Sequence, residues 1–171
     1  MNWYNYLGCI VGYGLYKLEW HEKSGGKGRT TMAREGSRSF PHIGKLQESL
    51  GIELISMSNG KCSVGVKVDE SHLNKGGVAH GGLQATLLDT AMGGATVSSL
   101  SEEEWCATAQ LDISYINAAK VNSGLICTGT VLRRGRFIAH VQGEIRDQEE
   151  RVIAIGKGTW GIWNGRPKHL R

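Results

Sequence analysis

One small-and-apolar run, Leu83, Ala85, Leu87, Leu88, Ala91, Met92, Ala95 and Val97, constrains the fold of this chain more than any other feature. So dense a run predicts a helix from about Gly82 to Leu100 that is buried on most of its circumference. The helix begins at the glycines of His80-Gly81-Gly82.

The segments around it read as strands. Ahead of it, Pro41 can start a short helix in which Ile43, Leu46 and Leu50 share a face and which Gly51 stops. Ile52 to Met57 and Lys61 to Asp69 then flank Ser58-Asn59-Gly60, and Asn-Gly is a strong hairpin signal. Behind the helix, after the acidic turn Glu102-Glu103-Glu104, strands are predicted over 105–116, 124–133, 137–147 and 151–163. Alternation is clearest in the third, where Phe137, Ala139, Val141, Gly143 and Ile145 interleave with His140, Gln142, Glu144 and Arg146. Two strands, one central helix and a meander of longer strands give an α+β domain. At 171 residues the chain is long enough for one domain with a real core, and 40% hydrophobic content is globular rather than disordered.

The same helix start carries chemistry. First-turn N–H groups point outward and carry the positive end of the helix dipole, so they can hold an oxyanion or a polarised carbonyl. Gly81 allows close approach to that backbone; as plain turn glycines, Gly81 and Gly82 would need no such role. Asp89 is either on a solvated stripe or a carboxylate with a partner or task, since carboxylates are seldom buried without one. Gly81 and Asp89 are eight residues apart, roughly 12 Å along one helix. One helix cannot bring both to the same carbonyl. If they cooperate, two copies run antiparallel across a two-fold axis and form two composite sites in a homodimer.

The pattern Asn74, His80-Gly81-Gly82, Leu87, Asp89-Thr90-Ala91, followed by Asp112-Ile113-Ser114-Tyr115, resembles the hotdog-fold acyl-CoA thioesterases of the phenylacetate-pathway (PaaI-like) group, within the 4-hydroxybenzoyl-CoA thioesterase superfamily. The resemblance covers roughly Pro41 to Trp163 and implies an antiparallel sheet wrapped around the central helix. It implies that the Gly81 N–H polarises the thioester carbonyl, assisted by the Asn74 amide. Asp89 is then the nucleophile or the base that activates water. Thr108 matches a serine or threonine that orients water in some relatives, and is otherwise an ordinary strand threonine. His80 and Gly82 flank the carbonyl site, where His80 orients the loop or touches substrate. Arg133, Arg134 and Arg136 lie at a predicted hairpin turn, where they meet coenzyme A phosphates or simply solubilise the turn. No cofactor is expected beyond the coenzyme A of the substrate. An aryl- or medium-chain acyl-CoA is the expected substrate, with a homodimer or a dimer of dimers as the assembly. Two other readings remain open: a hotdog protein that binds acyl-CoA without hydrolysing it, and a hydroxyacyl thioester dehydratase using His80.

Charge and cysteines narrow the partners. Residues 1–50 hold seven Lys and Arg against four acids, whereas residues 51–171 hold thirteen against twelve. The net charge of +4 therefore does not mark a nucleic-acid surface on the core. Cys9, Cys62, Cys106 and Cys127 form no CxxC pair, and the histidines have no metal-ligand spacing, so neither a disulfide framework nor a metal is implied. A reducing cytoplasm is the simplest location. Residues 1–40 read as an N-terminal extension, 41–165 as the thioesterase domain and 166–171 as a tail. The extension holds Trp3, Tyr4, Tyr6, Tyr13, Tyr16 and Trp20, then a flexible linker from Ser24 to Thr31. Its aromatic stretch is a poor signal peptide and too interrupted for a membrane span. Residues 1–31 are read as an appendage from an early translation start, an interfacial anchor or a partner-binding arm.

Overall fold

A computed structural model describes residues 43–168. The expectations for the N-terminal extension, its linker, Cys9 and a helix start at Pro41 lie outside the described residues. The elements are α1 (Lys45–Ser49), β1 (Glu53–Ser58), β2 (Lys61–Lys67), α2 (Gly81–Val97), β3 (Glu104–Tyr115), β4 (Gly124–Arg134), β5 (Ile138–Asp147) and β6 (Val152–Asn164). The strands form one sheet in the order β1-β2-β4-β5-β6-β3, with every neighbouring pair antiparallel. All six strands contact α2, so the sheet wraps around the helix as the resemblance implies.

The hairpin signal is realised in full. Asn59 and Gly60 both have positive φ, 48° and 75°, the backbone that a two-residue turn between twisted strands requires. In β5, Ala139, Val141, Gly143 and Ile145 are buried while His140 and Gln142 are exposed, as alternation predicts. Phe137 departs from that pattern: it lies before β5, is 66% exposed, and carries the Arg136 guanidinium 5.0 Å from its ring centroid.

Three boundaries also differ from the sequence reading. Gly44 precedes α1 with φ 110°, outside the helical region, so the first helix is a short one; Leu46 on it is 59% exposed and does not share a buried face with Ile43 and Leu50. β2 ends at Lys67, because Val68 exchanges backbone hydrogen bonds with the Asn122-Ser123 loop and Asp69 caps a short 3-10 turn. The central helix stops at Val97, where the Ser98 and Ser99 hydroxyls donate to the Ala95 and Thr96 carbonyls. Serine hydroxyls so placed compete with helix continuation.

Close packing of α2 on the sheet depends on a row of glycines. Gly129 of β4 pairs with Gly143 of β5, and Gly143 pairs with Gly156 of β6. A Cβ on Gly129 would lie 2.5 Å from the Ala91 carbonyl oxygen. One on Gly143 would lie 2.8 Å from Met92 Sδ, and one on Gly156 3.2 Å from Leu88 Cδ2. The turn of α2 that carries Leu88, Asp89 and Met92 thus rests almost on bare backbone. Cys62 fills the neighbouring position of the row and Gly94 of α2 faces it, 2.6 Å from where a Gly94 Cβ would stand. Burial pushes the Cys62 thiol up to about 11 and the Cys127 thiol higher still, so both are packing groups rather than nucleophiles. Cys62 and Cys127 are free thiols.

Gly129→Ala should be far more costly than its single methyl implies, because the obstacle is helix backbone that cannot rotate away. Overpacking of this kind costs about 1–3 kcal/mol or more. Gly124→Ala, where a Cβ meets open space, should change stability by no more than about 0.5 kcal/mol. Urea midpoints at constant m-value compare the two.

Candidate active site

The residues singled out from the sequence fall into two groups at different places on α2. The first lies at its N-terminus. Asp69 and His72 form a reciprocal capping box at the 3-10 turn: Asp69 Oδ1 accepts from the Ser71 N–H, and His72 Nδ1 accepts from the Asp69 N–H. The buried His72 then gives its carbonyl oxygen to the His80 N–H at 2.8 Å, tying the start of α2 to this turn. Between them runs the loop that carries Asn74. Asn74 Oδ1 accepts from the Gly76 N–H at 2.8 Å and from the Val78 N–H at 3.4 Å. Because backbone N–H groups can only donate, the amide orientation is unambiguous, and the Nδ2 donors of Asn74 face away from the loop.

His80 caps α2. Its Nδ1 accepts from the Gly82 N–H at 2.8 Å, while its carbonyl accepts from Leu83 and Gln84. The Gly82 N–H is therefore already satisfied within the chain. The Gly81 N–H has no acceptor among the described residues. Tyr115, at the end of β3, lies against Gly81: its ring is 3.3 Å from where a Gly81 Cβ would be, and its hydroxyl donates to the Gly81 carbonyl at 3.3 Å. These groups border a cleft of about 310 Å³ lined by Asn74, Gly81, Gln84, Tyr115 and Asn117, among others. The arrangement provides a helix-terminal N–H and a side-chain amide that can converge on one carbonyl oxygen.

The second group lies two turns further along. Asp89 is half-buried on the outward stripe of α2, and Thr108 Oγ1 of β3 donates to its Oδ1 at 2.7 Å. Asp89 Oδ2 has no partner among the described residues. Trp160, buried across the β3–β6 ladder from Thr108, backs this pair. Neither Asp89 nor Thr108 lines the cleft at Gly81. Both groups sit on one continuous helix, so the roughly 12 Å separation expected from helical rise holds within the chain.

The arginines form a third place. Arg134 pairs with Glu104, Arg136 stacks on Phe137 and Arg133 is exposed. The Ser101 N–H, followed by Arg134, holds the Glu104 carboxyl below the usual range. Arg134 is thus already paired and Arg136 packs on a ring. Arg134 and Arg136 nonetheless line a hollow of about 490 Å³ with Glu104, Phe137 and Trp163. Glu104 is four residues from Thr108 along β3, about 14 Å, but eleven from Tyr115, about 37 Å. The hollow therefore belongs with the carboxylate group rather than with the cleft. Among the described residues no three His, Cys, Asp or Glu side chains could hold one metal ion, and no helix is long and apolar enough to cross a membrane.

Sequence reasoning gave no role to Tyr115 or Gln84. Tyr115 entered only as the end of the Asp112-Ile113-Ser114-Tyr115 motif, and Gln84 sat unremarked three residues after Gly81. Helical i, i+3 spacing was the available signal for Gln84.

Comparison with known proteins shows the family and the fold. Residues 76–154 match the thioesterase superfamily. The chain is 30% identical over 139 residues to human acyl-coenzyme A thioesterase 13, covering 79% of this chain and 97% of that protein. The Escherichia coli PaaI protein from the phenylacetic acid degradation operon superposes with a TM-score of 0.66 at 26% identity, covering 70% of this chain and 85% of that one. A thioesterase from Streptococcus pneumoniae, solved with coenzyme A, has a TM-score of 0.62 at 30% identity, covering 68% and 88%.

His80→Ala should remove the cap and cost about 0.5–2 kcal/mol, whereas His80→Asn, which can accept from the same N–H, should keep most of that stability. Thermal denaturation of the two variants tests the capping role.

Proposed function

The chain belongs to the thioesterase superfamily and is a thioester hydrolase of the hotdog fold, and from that premise we propose that it hydrolyses an aryl- or medium-chain acyl-CoA to free acid and coenzyme A. The Thr108–Asp89 hydrogen bond carries the mechanistic part of this reading. The threonine hydroxyl pins one carboxylate oxygen and leaves the other to face substrate or water, a use of the pair that a purely structural strand threonine does not require.

In this reading the thioester carbonyl rests on the Gly81 N–H and the Asn74 amide. The partner subunit's Asp89 either attacks the carbonyl carbon or takes a proton from the attacking water, with the partner subunit's Thr108 holding that water. Attack by water breaks the acyl–sulfur bond and gives the acid directly; attack by Asp89 breaks the same bond but leaves a mixed anhydride, which water then cleaves to release the acid and regenerate the carboxylate. In both cases the thiolate takes up a proton. Developing charge on the carbonyl oxygen is met by donors that are already oriented, so little reorganisation is needed at the reacting centre.

Two surfaces support a homodimer. β3 is twelve residues long, stands at the sheet edge and is exposed over most of its length. A long exposed edge is a pairing template that proteins usually cover. Beside it, α2 turns small side chains outward at Gly82, Thr86 and Gly93 along with Asp89, so a second helix can approach closely. Antiparallel pairing about a two-fold axis then sets the Gly81 end of each helix near the Asp89 of the other. The coenzyme A nucleotide would lie toward the arginine hollow of the subunit that gives Asp89, about 14 Å from Thr108, a distance the pantetheine arm covers. Trading Glu104 for a phosphate frees Arg134 for that contact. The coenzyme A bound in the Streptococcus pneumoniae structure and the name of the human relative support coenzyme A as the carrier, and the operon of the Escherichia coli relative supports an aryl acyl group.

The other readings fit less well. A dehydratase needs a histidine aimed at the acyl chain, and His80 is committed through Nδ1 to the Gly82 N–H. A protein that only binds acyl-CoA has no use for a carboxylate held by a hydroxyl beside the thioester.

Asn74→Ala should slow turnover about 100-fold to 1000-fold through loss of one carbonyl donor, and Asp89→Ala should lose more. Co-refolding equal amounts of these two variants should restore about a quarter of parent activity, since half the dimers are mixed and each mixed dimer has one intact site. Thiol release from a panel of acyl-CoAs measures it. A mixture no more active than the mean of its parts places the whole site in one chain.

A further inference from the structure

One buried polar atom is left over by the chemistry above. Gln84 is 5% exposed and lines the cleft, yet its Oε1 is fully buried without a hydrogen-bond partner. It is the one such side-chain atom among the described residues. Its amide cannot simply be reversed. Nε2 donates to the Ala79 carbonyl at 3.3 Å, and a carbonyl accepts but never donates, so turning the amide would set two acceptors against each other. The free atom is therefore the oxygen, and the missing partner is an uncharged donor.

No donor among the described residues bonds to it, the unspent Asn74 Nδ2 and Gly81 N–H included. The Tyr115 hydroxyl donates to the Gly81 carbonyl, and Asn117 Nδ2 donates to the Val152 carbonyl. An unsatisfied buried carbonyl is costly, and one kept in a folded protein calls for a partner. The 3.3 Å bond to Ala79 is long, and the terminal torsion of glutamine is broad, so Oε1 can turn toward a donor in the cleft.

Position then identifies the donor. Gln84 stands three residues after Gly81 on α2, about one helical turn from the N–H that receives the carbonyl. In any coenzyme A thioester the first amide N–H of the pantetheine arm is four bonds from the carbonyl carbon, a reach of about one helical turn. We propose that Gln84 is a substrate-positioning residue whose Oε1 accepts a hydrogen bond from this amide N–H when the thioester carbonyl rests on Gly81. The cleft would then recognise the carrier arm rather than the acyl group. The inference rests on the acyl-CoA reading above.

The test compares one acyl group presented as its N-acetylcysteamine thioester and as an alkyl thioester in which a methylene replaces the amide N–H. The parent should favour the amide-bearing substrate by at least about tenfold in kcat/KM. Gln84→Met, close in size and lacking the acceptor, should bring that ratio toward one. Taking the ratio of ratios cancels the difference in substrate hydrophobicity and any loss that the substitution imposes on both substrates alike. An unaltered ratio in Gln84→Met overturns the inference; a trapped water would then be the partner of Oε1. So does a change confined to the discrimination between 3-hydroxyacyl and plain acyl chains, which would assign Oε1 to the acyl side. Failure of the parent on every thioester, including full coenzyme A esters, sinks the acyl-CoA reading itself and is a different result from either.

Discussion

The contact between the Leu88–Met92 turn of α2 and the glycine row of β4, β5 and β6 is the constraint on which the rest of this structure depends. Helices normally keep their distance from a sheet because side chains intervene. Here Gly129, Gly143 and Gly156 remove them on the strand side, so the helix backbone comes close to Gly129 while the Leu88 and Met92 side chains fill the space over Gly143 and Gly156. Interiors packed to this density do not deform continuously. The position of α2 is therefore fixed by sterics, and Gly81 at one end and Asp89 in the middle inherit that fixed position. Rigid placement of this kind is what a site built on preorganised donors needs.

Around the N-terminus of α2, hydrogen bonds select which groups remain for chemistry. His72, His80 and Asn74 each spend an acceptor on a nearby backbone N–H. That leaves the Gly81 N–H and the Asn74 Nδ2 donors over, both at the cleft. His80 explains the difference between two adjacent glycines. By capping the Gly82 N–H it leaves the Gly81 N–H as the unspent one of the two. Thr108 does the same for the carboxylate, occupying Oδ1 of Asp89 and leaving Oδ2.

Much of this could be read from residue order, and the limits have physical causes. α2 was legible because its apolar and small residues cover several faces at once, a pattern that few other elements produce. Its end was misplaced because Ser98 and Ser99 turn their hydroxyls onto the helix carbonyls, a choice the apolar pattern does not encode. α1 was overextended because Ile43, Leu46 and Leu50 have helical spacing whether or not Gly44 adopts helical φ. The arginine run was legible as charge but not as pairing. Glu104 meets Arg134 only because β3 lies at the far edge of the sheet beside β6, and strand order is a property of the chain's path rather than of any local window. His80 as a cap was equally hidden, since Ser, Thr, Asp and Asn are the residues that usually announce one. Gln84 was invisible for a different reason: only three-dimensional burial reveals that an acceptor lacks a partner.

The same topology connects the split site to the sheet edge. In the proposed reading a single chain cannot join the two halves of the centre, because helix geometry holds Gly81 about 12 Å from Asp89. Among the described residues β3, the strand that carries Thr108, also has no strand neighbour on one side. These two deficits have a common remedy. Pairing two copies along β3 would cover the open edge and bring the outward stripes of two α2 helices together in the antiparallel sense that composite sites require. Were the helix shorter, or β3 placed inside the sheet, one deficit would persist without the other. Both occur on adjoining elements, so under the proposed reading assembly and catalysis are one structural problem with one surface as its remedy.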